Sequence, residues 1–83
     1  MGVILLPALL AAEAGGRSRF ESSAPTVEAA LRALPVADLI FDERGDLRSL
    51  VNVYVDGSDV RERGGLGAPL GDEVRVVAAV AGG

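Results

Sequence analysis

The stretch Leu50-Val51-Asn52-Val53-Tyr54-Val55-Asp56-Gly57-Ser58-Asp59-Val60-Arg61 decides how this chain folds. Its first six residues are the strongest strand-forming run in the sequence, β-branched, aliphatic or aromatic at every position except Asn52. Asp56-Gly57 then forces a tight reversal, because a type I′ turn needs positive φ at both central residues. Residues 58–61 read as a short returning strand. A hairpin therefore lies in the second half of the chain, and the other segments have to be fitted around it.

Downstream, residues 64–71 hold four glycines and one proline around Leu66 and Leu70, a turn-rich loop pinned by two leucines. Residues 73–78, Glu-Val-Arg-Val-Val-Ala, read as the last strand. Upstream, residues 26–34 carry the clearest helical pattern: Val27, Ala30, Leu31 and Leu34 fall at i, i+3, i+4 and i+7 on one stripe. Glu28 and Arg32 form an i,i+4 pair elsewhere on that helix, and Thr26 has the chemistry of an N-cap. Pro35 prevents smooth continuation. Residues 36–41 are an apolar connector with room for a short second helical turn, and residues 42–46 an exposed turn. At the start, residues 3–6 read as a buried strand stopped by Pro7, with Leu9 and Leu10 packing beneath the loop that follows. After the turn at Gly15-Gly16, residues 17–21 alternate charged with other residues, which predicts a second strand forming a hairpin with the first and holding Phe20 off its polar face. Ser22-Ser23-Ala24-Pro25 ends it. The predicted order is β-β-α-β-β-β, an α+β fold with about five strands of one mixed sheet wrapped on one main helix.

Composition narrows the chemistry. The 83 residues include no Cys, His, Trp or Lys; 12 acidic residues face 8 arginines, for a net charge of −4. Without Cys there is no thiolate nucleophile or Cys-based metal site, and without His no Ser–His or Cys–His pair. These absences argue against a self-sufficient enzyme. Phosphate-backbone binding needs clustered cations in a basic domain, so nucleic acid is not expected as a partner. The apolar run of residues 3–12 resembles a signal-peptide core, but no Lys or Arg precedes it and Pro7 interrupts it. It is also too short to span a bilayer. The expectation is a cytoplasmic protein with no membrane partner.

The remaining motifs read as structure. Gly64-Gly65-Leu66-Gly67 lacks the Lys of a phosphate-binding P-loop and fails the dinucleotide pattern. Ser58 has neither the flanking pattern of a nucleophile elbow nor a His to activate it. Asp56 and Asp59 read as carboxylates capping a tight turn, and no metal is expected.

The exception is the end of the sequence. Residues 78–83, Ala-Ala-Val-Ala-Gly-Gly, carry no charge and only small or apolar side chains, and at roughly 3.3 Å per residue they reach about 20 Å. Two final glycines present a carboxylate with no Cβ beside it, suited to a narrow slot in another protein. The hairpin sequence 51–61, Gly65-Leu66, Leu70, Gly71-Asp72-Glu73-Val74 and Ala79-Val80-Ala81-Gly82-Gly83 together resemble the ubiquitin-like sulfur carriers, a family that includes the molybdopterin synthase small subunit, the thiamine sulfur carrier and the cysteine-synthesis carriers. The resemblance is specific over about residues 50–83; over 1–49 it rests on element order, Pro7 and Gly15-Gly16.

That resemblance implies a β-grasp fold, in agreement with the element order, with a single domain over 1–77 and a flexible tail over 78–83. It implies that the Gly83 carboxylate is adenylated by a separate E1-like enzyme and converted to a thiocarboxylate. A downstream synthase then takes the sulfur for cysteine, molybdopterin or a thiolated metabolite. On this reading the chain is a carrier and binds no cofactor; ATP and Mg²⁺ belong to the activating partner. Gly82, Ala81, Val80 and Ala79 lie along the partner's channel, and Leu66, Arg61 and the outward side of the final strands are docking candidates. The alternatives are the small subunit of a heteromeric synthase, a ubiquitin-like protein modifier and a β-grasp binding module. The lack of Lys leaves an activated acyl end no side-chain amine on its own chain to acylate; a plain compositional preference for Arg accounts for the same count.

Overall fold

The computed structural model describes residues 1–78, in which the chain runs β1 (Gly2–Leu5), α1 (Ala8–Glu13), β2 (Arg19–Ser22), α2 (Val27–Arg32), α3 (Ala37–Ile40), β3 (Val51–Val55), β4 (Ser58–Asp59), a 3₁₀ turn (Val60–Arg63) and β5 (Glu73–Ala78). The strands form one sheet in the spatial order β2-β1-β5-β3-β4. β1 and β5 are parallel, with Val3 opposite Glu73 and Leu5 opposite Arg75; the other pairings are antiparallel. The last strand thus lies in the middle of the sheet.

The central hairpin forms as its composition requires. Asp56 has φ 49° and Gly57 φ 86°, the paired positive values of the I′ reversal, with Val55 opposite Ser58 and Tyr54 opposite Asp59. Asp56 does more than turn the chain. Its backbone N–H donates to the Glu73 carbonyl at 2.8 Å, and its Oδ1 accepts from the backbone N–H groups of Asp72 and Glu73 at 3.1 and 2.9 Å. On the far side, the Val3 N–H donates to the Asp72 carbonyl at 2.9 Å. The chain is so tight here that a Cβ on Gly71 would lie 2.7 Å from Asp56 Oδ2 and one on Gly2 would lie 2.5 Å from the Gly71 oxygen. β5 is therefore held at its start by both of its neighbours.

The predicted helical stripe is the centre of the core. Val27, Ala30 and Leu31 are at most 1% exposed and Leu34 is buried, facing Ile4, Val53, Val55, Val74 and Val76 from the sheet. Each Val, Leu or Ile side chain so buried stabilises the fold by roughly 1.5–3 kcal/mol. Thr26 Oγ1 caps α2 by accepting from the Ala29 N–H. Two further N–H groups of that first turn, from Val27 and Glu28, donate to the Ala68 and Leu66 carbonyls, so the glycine-rich loop completes the helix start.

Three local expectations are corrected. The segment after Pro7 is helical as α1, and within it only Leu10 and Ala11 are buried, whereas Leu9 is 57% exposed. Proline at the cap position fits this start, because a helix's first N–H groups have no intrahelical acceptor. The returning strand is shorter than 58–61: pairing stops at Asp59, whose carboxylate caps a 3₁₀ turn from Val60. The second strand falls at Arg19–Ser22 rather than 17–21, with the Arg17 guanidinium 4.3 Å from the centre of the Phe20 ring. The connector does contain its short helical turn, α3, whose Ile40 is fully buried. The domain boundary at 77 falls one residue inside β5, and residues 79–83 of the predicted tail lie outside the described residues.

Replacing Asp56 by Ala removes an acceptor from two backbone donors and puts a side chain unsuited to positive φ at the turn. Urea denaturation is expected to give a loss of about 1–3 kcal/mol for Asp56→Ala. Asp56→Asn, which keeps an acceptor and tolerates the turn, is expected to lose less than half of that.

Candidate functional site

The predicted reactive group, the Gly83 carboxylate, and the predicted channel residues Ala79, Val80, Ala81 and Gly82 lie outside the described residues. What the structure gives is the place from which they depart. Ala78 ends β5 opposite Val51, and Arg75, three residues earlier, is level with Leu5 of β1. The strand thus runs past the end of β1, and Leu5, Leu6 and Pro7 stand beside its final residues.

A notch of about 180 Å³ opens there, lined by Leu5, Leu6, Pro7 and the segment from Arg75 to Ala78. Val77, 39% exposed, lies on the outer face of the sheet with Asn52 as its cross-strand partner. Leu50, 47% exposed, immediately precedes Val51, the partner of Ala78. The sequence reading put Leu50 into the strand; the structure starts β3 at Val51 and leaves Leu50 outside it.

The rest of the outer face mixes apolar residues with charges that pair with one another. One row crosses the sheet as Arg19, Leu5, Arg75, Tyr54 and Asp59, and the next holds Glu21, Val3 and Glu73. Arg19 lies 3.9 Å from Glu21 and Arg75 lies 3.6 Å from Glu73, so opposite charges on this face neutralise one another. Exposed pairs of this kind add little stability.

The two named docking candidates are already engaged within the fold. Leu66 is half-buried against the core, and its carbonyl takes part in starting α2. Arg61 is exposed, but its Nε and Nη2 donate to Asp59 Oδ1 and Oδ2 at 3.1 and 2.8 Å, a two-pronged pair. With the Arg61 N–H also donating to Oδ1, this arrangement holds the Asp59 carboxyl down at about 2 against an ordinary 3.8. A groove of about 190 Å³ beside β3 lies between Arg61 and Arg48, and Arg48 donates from Nε and Nη2 to the Asp38 carbonyl. Its two cations therefore both have internal partners. Asp56 and Asp59 serve turns and caps, as expected from their positions. Among the described residues no helix is long and apolar enough to cross a membrane.

Comparison with known proteins adds to this geometry. The sequence model of the ThiS family matches residues 4–83. The chain is 33% identical to the sulfur carrier protein CysO of Mycobacterium tuberculosis over 89 aligned positions, covering 96% of each chain. The crystal structure of Mycobacterium tuberculosis CysO superposes with a TM-score of 0.83 at 29% identity, over 96% of this chain and 100% of that one. A CysO crystallised in complex with BexX from Amycolatopsis orientalis gives 0.81 at 29% identity with both chains fully covered. The Haloferax volcanii small archaeal modifier protein 1 gives 0.70 at 31% identity over 94% of this chain and 95% of that one.

The Asp59–Arg61 pair predicts a pH dependence. Asp59 has a lowered value in the folded chain, so its stabilisation is present above about pH 3.8 and is lost as pH falls towards 2. Thermal midpoints measured across that window are expected to fall less steeply for Asp59→Asn than for the unaltered chain.

Proposed function

The chain belongs to the ThiS family, and from that premise we propose that it is a sulfur carrier whose reactive group is the Gly83 carboxylate. The observation that carries the proposal is the extent of the family match, which begins in β1 and runs through Gly82-Gly83. The 33% identity and near-complete mutual coverage with a sulfur carrier support it further.

The chemistry needs little from this chain. A free carboxylate is a poor acyl donor because its leaving group would be an oxide. An adenylating partner that supplies ATP and Mg²⁺ converts one carboxylate oxygen into part of a good leaving group. A Gly83 oxygen forms a bond to the α-phosphorus, and pyrophosphate leaves. A reduced sulfur donor then attacks the acyl carbon; the new C–S bond replaces the C–O bond and AMP departs. The product is a thiocarboxylate, and a downstream synthase consumes its sulfur.

The chain contributes the acyl group, its steering and its presentation. The absence of a Cβ at Gly82 and Gly83 lets a narrow active site close around the reacting carbon. The absence of charged side chains over residues 79–83 leaves the terminal carboxylate as the one charge to be desolvated on entry into such a site. The chain is thus a substrate of its partners rather than a catalyst. Cysteine synthesis is the pathway favoured by the likeness to CysO. A permanent synthase subunit differs only in how long the complex lasts.

A second reading is favoured by a specific observation. The likeness to the Haloferax volcanii small archaeal modifier protein 1 raises conjugation to target amines as an alternative fate of the same activated end.

Intact mass spectrometry after incubation with an adenylating partner of this family, ATP and a sulfide source separates these readings. The carrier reading expects a gain equal to replacement of one oxygen by sulfur. Protein-sized adducts instead indicate a modifier. Deleting Gly83 is expected to abolish the gain and leave the thermal midpoint unchanged; a gain that persists overturns the role of Gly83.

A further inference from the structure

We propose that the free edge of β2 pairs with the same edge of a second copy of this chain, joining two five-stranded sheets about a two-fold axis at Phe20.

β2 ends the sheet, with β1 on one side and no described strand beyond it. Its ladder with β1 decides which backbone groups point outward. The Leu6 N–H donates to the Ser18 carbonyl, whereas the Val3 N–H turns the other way, to Asp72 beside β5. Hydrogen-bonded pairs alternate along an antiparallel ladder, so Phe20 and Ser22, opposite Ile4 and Gly2, are the residues bonded to β1. The N–H and C=O groups of Arg19 and Glu21 therefore face outward, and such a row is a template for another strand.

Charge selects the occupant and the register. Arg19 and Glu21 flank Phe20 and share the outer face, while Phe20 packs against the core with Ile4 as its cross-strand partner. Antiparallel pairing centred on Phe20 sets Arg19 of each copy opposite Glu21 of the other. Each of these two pairs exchanges two backbone hydrogen bonds and brings opposite charges together. The two Phe20 residues become the closer, non-hydrogen-bonded pair, with Cα atoms about 4.5 Å apart. A slip of one residue meets backbone groups already bonded to β1. A slip of two puts Arg19 opposite Arg19 or Glu21 opposite Glu21, which is destabilising.

Edge strands often carry charge that keeps a second copy away. Here the sign reverses about Phe20, so the edge attracts its own copy. Within one chain Arg19 and Glu21 lie 3.9 Å apart with side chains 63% and 67% exposed, a loose contact that yields readily to cross-strand pairs. The opposite edge offers no such template: β4 has two residues, and the Asp59 carboxylate is held by the 3₁₀ turn and by Arg61. Because β1 separates the β2 edge from β5, the proposal does not depend on the carrier reading.

Sedimentation velocity of the full chain from about 10 μM to about 1 mM tests this, because so small an interface implies a dissociation constant on the order of 0.1–1 mM. The weight-average mass is expected to rise towards that of a dimer, with slower hydrogen exchange at the Arg19 and Glu21 amides. Arg19→Glu and Glu21→Arg each set like charges opposite one another and are expected to stay monomeric throughout. Their equimolar mixture restores every opposite-charge pair and is expected to form a heterodimer. Both side chains are exposed, so each variant is expected to keep the circular dichroism of the unaltered chain. An unaltered chain that stays monomeric at the highest concentration overturns the proposal. Association that persists in both single variants assigns the contact to another surface and likewise overturns it, as does a mixture that fails to associate.

Discussion

The clasp at the start of β5 is the constraint on which the rest of this structure depends. β5 is the last strand in sequence and the middle one in space, so its partners must be positioned from segments far away along the chain. The Asp56 carboxylate fixes Asp72 and Glu73 to the central hairpin, and the Val3 N–H fixes Asp72 to the first strand. With those bonds made, the parallel register of β1 and β5 follows, and so does the pairing of Ala78 with Val51. A one-residue slip would turn Val74 and Val76 outward and put Arg75 and Val77 into the core. The same clasp that holds the fold therefore sets where Ala78, the last described residue, lies.

The helix and the glycine-rich loop depend on each other in a comparable way. α2 is only six residues long and is marginal by itself. It is held by burial of its apolar stripe and by the Leu66 and Ala68 carbonyls that accept from its first turn. A positive φ at Gly64 and Gly65 allows the loop to bend far enough to reach that helix end.

The arginines of this lysine-free chain also acquire a structural reason. Arg32 donates to Glu28 and to the Gly45 carbonyl while lying 4.1 Å from the centre of the Phe41 ring. Arg48 and Arg61 each donate from Nε and Nη2 to neighbouring acceptors. A planar guanidinium does all of this at once, and a lysine ammonium cannot. Three of the eight cations are therefore accounted for by geometry that neither a compositional preference nor protection of an activated tail supplies.

The sequence by itself determined the periodic and the local. The apolar stripe of α2, the Asp56-Gly57 reversal, the strand run 51–55 and the uncharged Gly-Gly end were legible because each is written in neighbouring residues. The resemblance over residues 50–83 added the family, and the family match bears it out. α1 was missed because Ala8–Glu13 is short and mostly apolar, a pattern that does not separate a helix from a covered loop. The fourth strand was read too long because its end is set by the Asp59 carboxylate capping the next turn, a competition between side chain and ladder that propensity does not contain. Only the tertiary structure decided that Leu66 is half-buried against the core, that Arg61 pairs with Asp59, that Leu50 and Val77 stand exposed, and that Leu5 to Pro7 complete a notch beside the last strand. The notch joins residues seventy positions apart, Leu5 and Arg75, and such neighbours are fixed by pairing across the sheet, not by anything either segment carries alone.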